Sequence, residues 1–319
     1  MALPRVAVLR GGMSNSSEVS MKTGAEVLRS LTEMGYANKD ITITKSGEWL
    51  DGGRVRTPEQ ALSAVDTVFI ALHGEHGEDG RVQRYLSQQH IPYTGSRALA
   101  SATAFNKVFA KKLVQSHGIK TPVAQILKRG ADLTNMTAIF SELGEKLVLK
   151  PVSSSSSLDT YVAIAPEEII EIAQQLFTRH ESLLVEEYIC GKEVVVGVLE
   201  QFRDNPYYTL PPVEIQLSDG ELFYSYNAKC SNDYIHHCPA RLSKAEQIQL
   251  RSIAETVHQL LDLRQYSCCD CIVTEDGVYL LEVNTLPALS KTSLFPKAID
   301  AVGVDYNQLV SHLVANAHY

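Results

Sequence analysis

The sequence feature that most constrains the fold is the apolar run Val278–Asn284, which a Thr-Leu-Pro tripeptide follows at once. Its composition predicts a buried β-strand. Because side chains alternate along a strand, Glu282 and Asn284 should point to the same face. A second apolar run surrounds Asp270, and Glu275-Asp276-Gly277 between the two runs is typical of a tight turn. The pattern therefore predicts a hairpin that brings Asp270 beside Glu282.

The polar positions of this hairpin predict a metal site. Burying oxygen-bearing side chains on a strand costs free energy unless a cation interacts with them. Mg²⁺ prefers such oxygen ligands, keeps several waters and bridges substrate phosphates. The alternative is a strand with a polar end, which accounts for Asn284 but not for the carboxylate of Glu282. We therefore predict that Asp270, Glu282 and Asn284 bind Mg²⁺.

Length and composition are those of a globular protein with more than one domain. The chain has 319 residues, which predicts two or three domains. Its net charge of −8 argues against a protein that coats nucleic acid. No apolar run approaches the roughly 20 residues of a membrane helix. The apolar start is too short for a signal peptide. We expect a cytoplasmic protein that binds neither nucleic acid nor membrane.

Cysteines and histidines offer a second metal interpretation. The cluster Cys268-Cys269-Asp270-Cys271 is compatible with zinc, but neighbouring strand residues face opposite ways and no second Cys-x-x-Cys completes a tetrahedral set. Reduced cysteines in a buried strand are the better account. His236-His237 could also bind a metal, although adjacent histidines diverge on an extended chain.

The N-terminal third predicts a parallel α/β layer. The strand Arg5–Arg10 is nearly all apolar, which favours burial on both faces. A Gly-Gly turn then leads into a helix over 18–34, an arrangement that can bind an anion, although it is not the three-glycine dinucleotide pattern. His73 follows a strand over 64–71, where open α/β sheets place their ligands. Its ring could simply be hydrogen-bonded within the loop, but its position near Glu78 favours a role in a ligand-binding site.

The rest of the chain predicts helices and antiparallel strands. A strand over 147–151 ends in Lys150, and five serines follow it, at 153–157. The serines form either a flexible linker or, since strands flank them, a loop that folds over phosphates. The other predicted elements are helices over 98–117, 166–179, 243–261 (N-cap Ser243) and 306–316, and strands over 41–44, 161–164, 183–189, 191–198, 210–215 and 221–226.

Together these features suggest a Mg-ATP site. A triphosphate needs several positive charges and a metal ion, which need not be close in sequence. That need is met by the lysines at 107, 150 and 229, the serine loop and the strand that carries the carboxylate. The strand over 183–189 runs into a polar segment that could accept an adenine edge, although many edge strands look alike.

The whole chain resembles an ATP-grasp ligase of the D-alanine–D-alanine ligase family. Each matching segment is weak alone, but their order and spacing are specific. The segments are Val8–Gly12 with Glu18–Ser20, Ala71–Gly74 with Gly77–Gly80, Pro92–Ser96, Lys150-Pro151, Glu193, Ala228-Lys229, Cys238–Ala240, Leu280–Pro287 and Ser293–Pro296.

The resemblance implies an α/β fold, α+β in part, with three domains. An N-terminal parallel-sheet domain over 1–96 would precede two domains, over 97–189 and 190–319, that clamp ATP. ATP would phosphorylate the carboxylate of one substrate, and the amine of a second would attack the acylphosphate. D-Alanine is the first candidate substrate, for peptidoglycan precursors. Two Mg²⁺ ions, with Mn²⁺ as a substitute, and a homodimer are also implied.

The resemblance also assigns roles to individual residues. The phosphate-binding positions are Lys107, Lys150, Lys229 and the loop residues Ser155, Ser156 and Ser157. The adenine segment matches Glu186, Glu187, Tyr188 and Ile189, and Glu193 matches the ribose ligand. Asp270, Glu282 and Asn284 match the two-metal site. Ser293 and Leu294 match the contact to the second substrate, and His73 is a further candidate for the substrate site. The catalytic candidates are Glu18, Ser156, Lys229 and Ser293.

Departures from the family pattern cluster where amino acids would be recognised. Ser16 replaces a glutamate that holds the first substrate's ammonium, and Glu18 is its companion position. The other departures are Cys230 for a tyrosine, Cys268 for an arginine that stabilises the tetrahedral intermediate, Ala288 for a glycine, and Ser155–Asp159 for Gly-Ser-Ser-Val-Gly. Three interpretations stay open: a D-alanine ligase, a ligase with another acyl or amine substrate, and a nucleotide-binding protein with little turnover.

Overall fold

The computed structural model describes residues 3–133, 136–154, 159–217, 223 and 234–319. The first sheet is built from the N-terminal part of the chain, in the order β4-β3-β2-β1-β5. β1 pairs in parallel with β2 and β5, as the sequence predicts, whereas β3 and β4 add an antiparallel edge. Its strands are β1 (Val6–Gly11), β2 (Asn38–Ile43), β3 (Trp49–Asp51), β4 (Arg54–Arg56) and β5 (Thr67–Ile70). Its helices are α1 (Ser17–Glu33), α2 (Pro58–Ala61) and α3 (Arg81–Gln88).

The turn after β1 requires glycine. Gly11 has a φ of +88°, and a Cβ added there would lie 2.3 Å from the carbonyl oxygen of Ile43. An L-residue with a side chain would therefore meet both backbone strain and a clash. The turn delivers the chain directly into α1, whose residues Val27 and Leu31 are fully buried. The predicted strand, turn and helix are confirmed.

The second sheet lies in the middle of the chain and is antiparallel throughout, in the order β6-β9-β7-β8. The single helix predicted over 98–117 is wrong. Asn106 has an extended ψ of 99°, and its side chain caps the second of two helices. The elements of this part are α4 (Ala98–Phe105), α5 (Lys107–Gln115), β6 (Ala124–Lys128), α6 (Met136–Leu143), β7 (Leu147–Pro151), β8 (Tyr161–Ala163), α7 (Pro166–Phe177) and β9 (Ser182–Glu187).

The third sheet contains the predicted hairpin. Its order is β13-β12-β10-β14-β15, with β11 paired to β10. Asp270 on β14 lies opposite Glu282 on β15, and a bulge follows between Asp270 and Cys271. The elements are β10 (Lys192–Phe202), β11 (Asn205–Thr209), β12 (Val213–Gln216), β13 (Ile235–His237), α8 (Lys244–Leu260), β14 (Tyr266–Thr274), β15 (Gly277–Asn284), α9 (Leu294–Asp300) and α10 (Tyr306–Ala315).

Two predictions for this part of the chain need comment. The segment over 285–296 after β15 is rich in hydroxyl side chains, which in the sequence is typical of a loop, but α9 begins at Leu294. The strand predicted over 221–226 lies outside the described residues except for position 223.

In the part of the chain that the structure describes, three hydrophobic cores hold these sheets. The first joins β1 and β5 to α9 and α10 near the chain end. The second packs α4, α5 and α8 against β10, β14 and β15, and the third lies under the middle sheet. Helices α4 and α5 therefore pack on the third sheet, although they fall within the predicted 97–189 domain. Within the described ranges, no helix is both long and apolar enough to cross a membrane.

Candidate active site

A cleft opens between the second and third sheets. Strands β7 and β9 supply one wall, and β10, β14 and β15 supply the other. Apolar side chains such as Val148, Ile215 and Leu281 line part of the cleft. Eight residues predicted to bind nucleotide or metal also line it: Lys150, Glu186, Glu187, Tyr188, Ile189, Glu193, Asp270 and Glu282.

The hairpin β14–β15 places three oxygen-bearing side chains together. Asp270 and Glu282 lie opposite each other, and the Asn284 amide donates a 3.4 Å hydrogen bond to Asp270 Oδ1. All three side chains are half-buried. Among the described residues, no group of three or more His, Cys, Asp or Glu side chains could hold a metal. Two carboxylates and a carboxamide nevertheless fit the hard-oxygen preference of Mg²⁺.

Lys107 lies beside this oxygen face. It stands in the first turn of α5, where the helix dipole disfavours a cation, and it is only 6% exposed. Its ammonium lies 3.2 Å from Glu282 Oε2 and donates to the carbonyl oxygen of Ser154 at 2.6 Å. A smaller cavity is lined by Lys107, Glu282 and Asn284 and reaches Glu78 in the N-terminal part.

A second buried cluster lies beside the cleft, which two of its three members, Lys150 and Glu186, line. Glu186 is 1% exposed and pairs with two ammonium groups, those of Lys111 and Lys150, the latter at 2.8 Å. Burial opposes its ionisation, but Lys150 and Lys111 outweigh it and lower the pKa of Glu186. Burial lowers the pKa of Lys111 to about 8. For Lys150, the effect of burial is outweighed by Glu186 and Glu282, which raise its pKa.

The predicted adenine segment is partly engaged with the protein itself. The N–H of Glu187 donates to Val123 O at 3.0 Å, and the N–H of Tyr188 donates to Lys146 O at 3.0 Å. The Glu187 carboxylate also accepts from the N–H of Val123 at 2.8 Å. These contacts fix the segment at the cleft wall.

His73 lies at the carboxyl end of β5, as predicted, but both ring nitrogens contact protein atoms. Nδ1 lies 3.0 Å from Leu286 O, and Nε2 lies 3.0 Å from Thr23 Oγ1. Burial lowers the pKa of His73 to about 4, so the ring is neutral at pH 7. Through these two contacts the His73 ring links helix α1 to the loop after β15. A contact between His73 and substrate remains a prediction.

The other substrate-side candidates that the structure describes are not among the residues that line these two cavities. Ser16 is 3% exposed before α1, while Glu18 is exposed in its first turn. Ser293 precedes α9, with its hydroxyl 2.7 Å from that of Ser290. Leu294 and Ala288 are half-buried. Ser155, Ser156, Ser157, Lys229 and Cys230 lie outside the described residues.

Cys268 is next to the oxygen face. It pairs in register with Asn284 and precedes Asp270 by two residues, so all three share one face. It is 4% exposed, and burial raises its pKa well above the ordinary value. Cys268 therefore places a neutral thiol beside the predicted metal residues.

The structure does not support the alternative metal sites. Cys268 faces one hydrophobic core, whereas Cys269 and Cys271 face another, and all three are unpaired and buried. The prediction of reduced core cysteines is confirmed for these three. His236 contacts the Lys297 ammonium at 2.7 Å and His237 contacts Gln216 at 2.8 Å, so the two rings diverge as expected.

Sequence reasoning missed the role of Lys111. Its signal was available, because Lys107 and Lys111 are four residues apart and share a helix face. The break at Asn106 places both on α5, where Lys107 pairs with Glu282 and Lys111 pairs with Glu186. Nothing in the sequence paired Lys111 with Glu186, which is 75 residues away.

The fold and the cleft define an ATP-grasp protein. Sequence comparison then identifies the family within this class of protein. The family described as D-ala D-ala ligase C-terminus matches residues 113–315, and D-ala D-ala ligase N-terminus matches residues 51–96. A D-alanine–D-alanine ligase of Syntrophotalea carbinolica is 35% identical, and the match covers 98% of this chain and 96% of that protein. The chain belongs to the D-alanine–D-alanine ligase family.

Solved structures agree with this assignment. The D-alanine–D-alanine ligase of Bacillus anthracis complexed with ATP superposes with a TM-score of 0.81 at 27% identity, covering 98% of this chain and 96% of that one. The VanG D-Ala:D-Ser ligase of Enterococcus faecalis superposes with a TM-score of 0.82 at 26% identity, covering 98% and 99%.

Proposed function

We propose that this chain joins two D-alanine molecules into D-alanyl-D-alanine at the expense of ATP. The observation that carries the proposal is the cleft, which gathers eight predicted nucleotide and metal residues from two sheets in a member of this ligase family. The B. anthracis relative was crystallised with ATP, which supports the same nucleotide here.

The residues around the cleft suggest how the reaction proceeds. Lys150 and Lys107 would contact the phosphates, with Lys229 and the loop Ser155–Ser157 as further candidates. The N–H groups of Glu187 and Tyr188 already donate to the protein, so a backbone donor for adenine would come from Ile189. The first D-alanine carboxylate takes the γ-phosphoryl group and releases ADP. The amine of the second then attacks the acylphosphate and displaces phosphate.

Mg²⁺ belongs to the proposal as well. Asp270, Glu282 and Asn284 would hold it, and when bound it would offset the charge on the phosphates. Lys107 would share Glu282 with the metal, since its ammonium is 3.2 Å from that carboxylate. The three-domain division at residues 96 and 189, a homodimer and a cytoplasmic location are parts of the same proposal.

A phosphate-release assay with Mg-ATP tests the proposal. Release with D-alanine, and formation of the dipeptide in equal amount, is the expected result. A panel of L-amino acids, other D-amino acids and simple carboxylic acids serves as the comparison. Mg-ATP hydrolysis or coupling with some other acid, but not with D-alanine, would contradict the proposed substrate.

A second candidate is a ligase with another amine or acyl substrate. It is favoured by the neutral thiol of Cys268 beside Asn284 and by Ser16, where the family pattern has charged residues. The D-Ala:D-Ser relative shows that a similar fold acts on a different pair. The same panel separates the candidates, because D-serine or another amine in the second position would then give the faster release.

A further inference from the structure

Lys111 is a buried cation that the proposed mechanism does not use. It is 6% exposed, and its ammonium contacts one carboxylate oxygen of Glu186, while Lys150 contacts the other at 2.8 Å. Burying an ammonium group costs free energy unless it is paired. One carboxylate with one lysine would already be neutral, so the second lysine requires another explanation.

The explanation lies in the charge of the cluster. Glu186 contributes one negative charge and the two lysines contribute two positive charges, so the trio carries one excess positive charge. Lys150 and Glu186 line the cleft, whereas Lys111 is not among its lining residues. The excess charge is therefore presented to the cleft at Lys150. Without Lys111, Glu186 would neutralise Lys150.

We propose that Lys111 is a positioning residue that shares Glu186 with Lys150 and so leaves the charge of Lys150 available to the phosphates of the nucleotide. The inference rests on the proposed function, because it requires a nucleotide in the cleft. Lys111 does not touch the nucleotide itself and acts through Glu186. Its pKa of about 8, lowered by burial, leaves it mostly charged at pH 7.

Calorimetric titration at pH 7 tests the inference by comparing Mg-ATP with adenosine, which lacks phosphates. Lys111→Met should weaken Mg-ATP binding about tenfold, because a charge next to the phosphates is neutralised, and adenosine binding less than about twofold. Lys112→Met is the matched control, since the next residue of the same helix is exposed. It should leave both affinities unchanged.

A charge-balanced variant separates charge sharing from mere packing. Lys111→Met combined with Glu186→Gln removes one charge of each sign and restores the excess positive charge at Lys150. Its ratio of Mg-ATP to adenosine affinity should return to within about threefold of wild type. If Lys111→Met fails to fold, Lys111→Gln replaces it, because the amide can still donate to Glu186 without the charge.

The outcomes are distinct. Equal weakening of Mg-ATP and adenosine binding, or no rescue in the double variant, overturns the inference, because packing alone then accounts for Lys111. If the wild-type protein binds no Mg-ATP, the proposed function itself fails. If wild type and Lys111→Met bind Mg-ATP equally well, the inference fails while the proposed function stands.

Discussion

Glu282 joins the proposed metal face to Lys107. It lies opposite Asp270, and its carboxylate pairs with Lys107 at 3.2 Å. It lines both the large cleft and the smaller cavity. A single carboxylate thus pairs with a buried ammonium group and, in the proposed function, would also offer an oxygen to a metal.

Replacing Glu282 tests the metal role at the residue scale. Glu282→Gln keeps the shape of the side chain but removes the charge, so turnover should fall by about 100-fold or more. Phosphate release measures this loss, and thermal unfolding shows that the fold is intact. Glu275→Gln, in the exposed turn of the same hairpin, is the control and should keep full activity. Normal turnover of Glu282→Gln would refute the metal role.

His73 gives a second prediction at this scale, concerning stability and pH. Burial lowers its pKa from 6.5 to about 4, so the unfolded chain binds the proton more tightly than the folded protein. The contribution of the neutral ring to the free energy of unfolding is therefore fully present above pH 6.5 and is lost as pH falls towards 4. Between pH 7 and pH 5 this loss is about 2 kcal/mol.

Urea unfolding at the two pH values measures the contribution of His73. The variant His73→Gln lacks the titrating group, so its stability should fall by about 2 kcal/mol less than that of wild type over the same pH interval. The acid sensitivity due to His236, whose pKa is also lowered to about 4, should remain in both proteins. An identical pH dependence in wild type and variant would show that His73 does not titrate as proposed.

At the scale of the elements, helix α8 shows how the sequence sets a boundary. Ser243 precedes the helix and accepts a hydrogen bond from the N–H of Glu246, while the Glu246 side chain accepts from the N–H of Ser243. This capping box satisfies backbone donors that have no partner inside the helix. The N-cap predicted from the sequence is confirmed.

Serine substitutions in α8 should have opposite signs at the cap and in the interior. Ser243→Ala should lower the free energy of unfolding by about 1 kcal/mol, because the cap is lost. Ser252→Ala, at an exposed interior position of the same helix, should raise it by a few tenths of a kcal/mol, because alanine favours helix. Denaturant unfolding of both variants measures the difference. If both substitutions changed the free energy of unfolding in the same direction, the helix would not begin at Ser243.

At the scale of the whole molecule, the first and third sheets are joined by buried polar contacts as well as by a shared core. Gln265 is 2% exposed and accepts from the N–H of Gly95 at 2.7 Å. Its amide donates to the carbonyl oxygens of Leu313, at 3.2 Å, and Asn316. One side chain therefore links the end of the N-terminal part, strand β14 and the C-terminal helix.

Removing this link should destabilise the assembly of the sheets. Gln265→Leu leaves buried backbone groups of Gly95 and Leu313 without these partners, at a cost of about 2–4 kcal/mol. The midpoint of thermal unfolding should fall accordingly. Gln259→Leu, exposed at the end of α8, is the control and should change stability by less than about 0.5 kcal/mol. Equal midpoints for the two variants would show that the link contributes little.

The sequence alone predicted the elements whose signals are local. The alternation of β15, the glycine turn after β1 and the cap at Ser243 each depend on neighbouring residues, and each is confirmed. The break between α4 and α5 was missed, because a polar side chain at Asn106 can stay in a helix or cap the next one. The start of α9 was missed because its hydroxyl-rich approach is typical of a loop.

The sequence by itself determined the hairpin that pairs Asp270 with Glu282 and, through the order and spacing of its motifs, the family. Only the tertiary structure decided which charges meet. Glu186 lies between Lys111 and Lys150, and Lys107 reaches Glu282 from another segment. These pairs join residues far apart along the chain. No local pattern fixes such contacts, because they arise from the way the second and third sheets close over one cleft.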